Sequence, residues 1–67
     1  MDVKKLKDKI SEAKLTGEAV AAAVGIDQST YYRKLSAEGE SFTVGQAKKL
    51  AALLNLPGAE AAEIFLS

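Results

Sequence analysis

The chain has 67 residues, enough for one small domain, and its 48% apolar content includes twelve alanines, so few large side chains are left for a core. Without Cys or His it has no disulfide or thiolate chemistry and lacks the commonest metal ligand and acid–base group. Nine basic residues balance nine acidic ones, and no apolar run approaches the roughly 18 residues of a membrane helix.

The charged start (Lys4, Lys5, Lys7, Asp8, Lys9) has no apolar stretch behind it, unlike a signal peptide. The expectation is a single domain over 1–67, soluble and cytoplasmic, with no membrane partner. One Pro and abundant Ala, Leu, Lys and Glu favour helix throughout. Val3, Leu6, Ile10 and Ala13 recur at helical spacing and predict a first helix over 3–13, with Asp2 as its N-cap. Its other face carries Lys4, Lys5, Lys9 and Glu12, read as a solvated face.

Thr16 is the N-cap candidate of a second helix over 18–24, and Gly25 ends it in the left-handed conformation. Ile26 points inward and Asp27 caps a third helix over 28–35, whose buried side carries Tyr31 and Leu35. Residues 36–41 form the loop of the chain, with Glu38 and Glu40 among turn formers. Thr43 and Gln46 fit a capping box at the start of a fourth helix over 44–54, with Ala47, Leu50 and Leu54 inward. Asn55 takes the left-handed position, Pro57 stops continuation, and a fifth helix covers 59–66. The sum is an all-α, compact five-helix bundle.

Catalysis is not expected. There is no Gly-rich phosphate loop and no metal-ligand spacing, and the carboxylates sit near helix starts or on exposed faces. No cofactor and no small-molecule ligand are implied. The informative stretch is Leu15 to Leu35, two short helices joined by a Gly-containing turn. Ala21 is small enough to let the helices approach, and apolar residues before, within and after the turn lock the crossing. Such a helix-turn-helix holds its second helix out for a DNA major groove.

This stretch resembles the lambda-repressor-like family of phage and bacterial regulators, the Cro and repressor type. The matching residues are Leu15-Thr16, Val20-Ala21, Val24-Gly25-Ile26, Gln28-Ser29-Thr30, and Phe42-Thr43 before the fourth helix. The ending Ala61 to Leu66 resembles small phage regulators of Gram-positive hosts. The resemblance covers essentially the whole chain. It implies five helices, operator DNA as partner, and a sequence-specific transcriptional regulator acting as a dimer.

Carried over onto this chain, Gln28, Ser29, Tyr32 and Arg33 are the base-reading residues. Gln pairs with adenine, Arg with guanine or a phosphate, and a tyrosine can meet a phosphate or a thymine methyl. Thr16, Gly17 and Lys34 are the phosphate contacts, the first two through helix N–H groups. Position 17 usually holds a long polar residue in the family; here it is Gly17. Ile64, Phe65 and Leu66 are expected at a weak dimer interface completed on DNA. All three cannot face inward on one turn, so Ile64 or Phe65 should anchor the core while the rest projects.

Neutrality is a sum of unlike halves. Residues 1–37 hold seven basic and five acidic groups, and 38–67 hold two and four. The alternative function is a protein-interaction domain of the same fold that has lost operator binding. An open recognition face flanked by lysines favours DNA. Crowding by Glu38 and Glu40 favours the alternative.

Overall fold

The computed structural model describes residues 1–37 and 42–66. It consists of α1 (Val3–Glu12), α2 (Gly17–Val24), α3 (Gln28–Ser36), α4 (Val44–Leu53) and α5 (Gly58–Phe65), with no strand among the described residues. The elements agree with the sequence reading to within a residue or so at their ends. α2 starts one residue early, on Gly17, and α5 starts on Gly58 with Pro57 at the N-cap.

The helix starts follow the capping chemistry. The Asp2 carboxylate accepts from the Lys5 N–H at 3.0 Å, and the Thr16 hydroxyl accepts from the Ala19 N–H at 3.1 Å. Thr43 and Gln46 close a complete capping box, each side chain accepting from the other's backbone N–H at 3.0 Å. Asp27 occupies the N-cap of α3 as expected, but its side chain makes no capping hydrogen bond.

The helix ends share one device. Lys14, Gly25 and Asn55 lie in the left-handed region at φ of 57°, 85° and 52°. The next residue in each case, Leu15, Ile26 or Leu56, sends its N–H back five residues, to Ile10, Ala21 and Ala51, at 3.0–3.2 Å. Those three side chains are half-buried against the core. This is the Schellman closure, in which a left-handed residue turns the chain and the apolar residue after it packs. Gly25 and Asn55 are residue types that accept this conformation; Lys14 does so at a cost.

The core comprises Leu6, Ile10, Val20, Ala21, Val24, Tyr31, Leu35, Leu50 and Ile64. α2 packs on both α3 and α4, and α1 meets α5. The radius of gyration is 10.5 Å, against about 11 Å expected for a domain of this length.

The chain ends are joined. The Asp2 N–H donates to the Ile64 carbonyl at 2.7 Å. Beside that bond, Lys5 pairs with Glu63, and Lys9 pairs with Glu60 and, at 3.6 Å, with Glu12. Lys5 and Lys9 therefore do not form a free solvated stripe; they bind α1 to α5.

Lys14→Gly should relieve the left-handed strain and stabilise the fold by about 1 kcal/mol, raising the midpoint of a thermal melt by about 4–8 °C. An unchanged or lowered midpoint would show that Lys14 carries no strain.

The ion pairs contribute to the pH response. The hydrogen bond from Lys5 holds the Glu63 carboxyl below its ordinary 4.5, so its contribution is complete above 4.5 and is lost as pH falls through the lower folded value. Hydrogen bonds to Glu63 and Glu60 raise Lys5 and Lys9 above 10.5, so theirs holds below 10.5 and is lost as pH rises through the raised values. Glu63→Gln should therefore reduce the acid-side fall of the melting temperature at low salt. An identical acid limb in both proteins would remove the pair from the account.

Candidate nucleic-acid interface

α3 has two unlike sides because its residues alternate at helical spacing. Tyr31 and Leu35 are buried, while Gln28, Ser29, Tyr32, Arg33 and Ser36 are exposed. Residues 28, 32 and 36, and residues 29 and 33, each recur every four positions and so stack along one face. Three of the four expected base readers, Gln28, Ser29 and Arg33, therefore stand together on an open surface, and α3 carries no acidic residue.

The fourth, Tyr32, shares that face but leans aside from the other three. Its phenol leans across to α2, and its hydroxyl lies over Gly17: a Cβ at that glycine would stand 2.1 Å from Tyr32 Oη. Its ring also meets Tyr31, centroids 5.3 Å apart and planes tilted by 59°. Burial raises the Tyr31 phenol above its ordinary 10.0, with a smaller contribution from Tyr32.

The expected phosphate contacts are placed unequally. Thr16 is exposed at the start of α2, its hydroxyl already accepting the capping bond. Gly17 lies beneath the Tyr32 phenol. Lys34 is on the other side of α3: it is half-buried, with its ammonium 5.8 Å from the centroid of the Phe42 ring. Phe42 in turn lies 6.4 Å from the Tyr31 ring, so Lys34 belongs with the covering of the core rather than with Gln28 and Arg33.

Other lysines border the open face, and the sequence reading did not pick them out. Lys7 lines a shallow cleft of about 280 Å³ together with Gly17 and Tyr32. Lys4 and Lys7 line a second depression with Leu35 and Ser36 at the end of α3. Both lysines are exposed and pair with no described carboxylate. The signal was available in the register of α1: Lys5 and Lys9 are four apart and face α5, whereas Lys4 and Lys7 are three apart on the neighbouring side. Glu38 and Glu40 lie outside the described residues.

Lys49 has its ammonium 4.0 Å from the position a Cβ on Gly25 would occupy. α2 has no basic residue in its own last turn. Lys49 thus supplies a positive charge at the carbonyl end of that helix.

The expected dimer surface is corrected in one member. Ile64 is wholly buried and its carbonyl holds the Asp2 N–H, so it anchors the core and cannot meet a second copy. Phe65 is half-buried, and Leu66 is 83% exposed. These two border an apolar groove of about 520 Å³ between the start of α4 and the end of α5, floored by Ala47, Ala51, Ala61 and Ala62.

Among the described residues no group of His, Cys, Asp and Glu could hold a metal ion, and no helix is long and apolar enough to cross a membrane. No family model, curated protein or solved structure matches the chain.

The two ends of this segment separate by substitution. Ile64→Ala should destabilise the fold by about 2–5 kcal/mol, most of what a domain this size has. Leu66→Ser should move stability by no more than about 0.5 kcal/mol. Urea melts of both variants check this; comparable losses would place Leu66 in the core as well.

Proposed function

We propose that the chain is a sequence-specific DNA-binding regulator in which α2, the Gly25 turn and α3 form a helix-turn-helix. The observation that carries this reading is the exposed face of α3. Gln28, Ser29 and Arg33 stand together there, with no acid on the helix and with Lys4 and Lys7 beside it. Amide, hydroxyl and guanidinium groups can read base edges, and the flanking ammonium groups suit phosphates.

The three-residue connection from Val24 to Gln28 supports the same reading. Its left-handed Gly25 and half-buried Ile26 fix how α3 leaves α2. The resemblance to lambda-repressor-like regulators adds the expectations of operator occupancy, a repressor role and a phage origin. A two-fold pair of bodies measuring 29 × 23 × 20 Å is of a size to span successive major grooves, about 34 Å apart. Phe65 and Leu66 are the proposed contacts of that pair, and the small patch implies dimers completed on DNA. The phosphate contacts are few, so the salt dependence should be shallow.

A second reading is a protein-interaction domain of the same fold, favoured by the apolar groove beside Leu66 and the 75% exposure of Val44 on its rim. Selection from a random duplex pool separates the two. The DNA reading expects an enriched site, and Gln28→Ala should weaken binding to it by about 1–3 kcal/mol while relaxing one base pair. No enrichment, with no duplex binding at low salt, would favour the protein-interaction reading. Equal loss by Gln28→Ala on selected and random DNA would remove Gln28 from base reading.

A further inference from the structure

α2 begins with a glycine that its own backbone does not require. Of the glycines, only Gly25 has a positive φ among the described residues. Gly17 occupies the first helical position, where other residues favour the helix more. Its Cα faces a side chain of α3. A Cβ on Gly17 would stand 2.1 Å from Tyr32 Oη and 2.6 Å from Cζ, far inside contact distance. The phenol lies in that volume as it stands and would have to swing aside for any other residue at position 17. Its remaining edge rests against Tyr31, and 48% of Tyr32 is still exposed.

We propose that Gly17 and Tyr32 are a matched pair, in which the missing Cβ seats the phenol on α2 and so makes Tyr32 a donor to the DNA backbone rather than a reader of bases. This rests on the DNA-binding reading above. A base reader must project straight from α3 into the groove. Tyr32 instead lies over Gly17 in the first turn of α2. Its hydroxyl makes no hydrogen bond to a described residue. A phenol O–H is a neutral donor suited to a phosphate oxygen. Because the ring is already held on two sides, little further side-chain freedom is lost on contact. Tyr32 then fixes the position of α3 on the duplex and leaves sequence preference to Gln28, Ser29 and Arg33.

Two substitutions test the pair. Tyr32→Phe removes the hydroxyl and leaves the ring seated. Gly17→Ala adds one methyl group and displaces the ring. Fluorescence anisotropy with the selected site and with a random duplex, at one salt concentration, should show about a tenfold loss for each variant on both DNAs. Base preference should be unchanged, and the double variant should be no weaker than either single. In NMR spectra the Gly17 Hα resonances should carry a ring-current shift that Gly17→Ala removes from that position and Tyr32→Phe preserves.

A loss confined to the selected site would make Tyr32 a base reader and overturn the proposal. So would full affinity in Tyr32→Phe, or losses that add in the double variant. If Gly17→Ala lowers the melting temperature, Tyr32→Phe still reads the hydroxyl in an intact seat. If the wild-type chain binds no duplex, the DNA reading fails and this role fails with it. A surviving ring-current shift would then show that the pair serves only to join α2 to α3.

Discussion

Three of the five helices end on a left-handed residue followed by an apolar side chain that drops onto the core, and the rest of the domain depends on that repeated turn. Among its described residues this short chain has nine buried apolar side chains to hold five helices. Long loops would add ordering cost without adding contacts. The Schellman turn reverses direction in three or four residues, satisfies two carbonyls that would otherwise lack donors, and adds Leu15, Ile26 or Leu56 to the apolar interior. At Gly25 the same turn does more. It fixes the direction of α3 relative to α2, and with it the direction in which Gln28, Ser29 and Arg33 face.

Charge is distributed by the same economy of parts. A protein with no net charge is a poor prospect for binding nucleic acid if its charges are evenly spread. They are not. Glu60 and Glu63 lie against Lys9 and Lys5, so two of the acids are neutralised at the α1–α5 seam. Lys4 and Lys7 remain on the side of α1 next to α3, beside Tyr32 and Ser36. The α1–α5 ion pairs thus tie the ends of the chain and keep two carboxylates away from the face proposed to meet DNA.

Much of the frame was legible because local chemistry decides it. Asp2, Thr16 and the Thr43–Gln46 box are short-range signals, and each makes its expected bond. Gly25 and Asn55 are the residue types that tolerate a left-handed turn, and both adopt one. Lys14 gave no such signal, because tertiary packing of Leu15, rather than the preference of lysine, holds it there. Which of Ile64 and Phe65 enters the core is likewise not a local matter. One residue is a rotation of about 100°, and the position of α1 against α5 settles it in favour of Ile64. At the candidate site, residue types were readable but partners were not. Lys34 and Lys7 look alike in sequence, and only the packing of Phe42 on one side and α1 on the other distinguishes them. Gly17 reads as a lost contact until Tyr32, fifteen positions later, is brought onto it.

α3 shows why stability and recognition are hard to separate in a domain of this size. The helix has nine residues, and its two buried ones, Tyr31 and Leu35, fix the helix rotation that exposes Gln28, Ser29 and Arg33. Tyr31 contacts Tyr32 on one side and Phe42 on the other, and Lys34 covers Phe42. A change at Phe42 therefore reaches the exposed face through a single ring. A substitution in this chain of contacts alters the orientation of the face as well as the free energy of folding. The outer face of α3 is freer to vary, since Gln28, Ser29 and Arg33 are exposed and add little to the core. Tyr32 is the exception on that face, because its seat on Gly17 ties the surface of α3 to the start of α2.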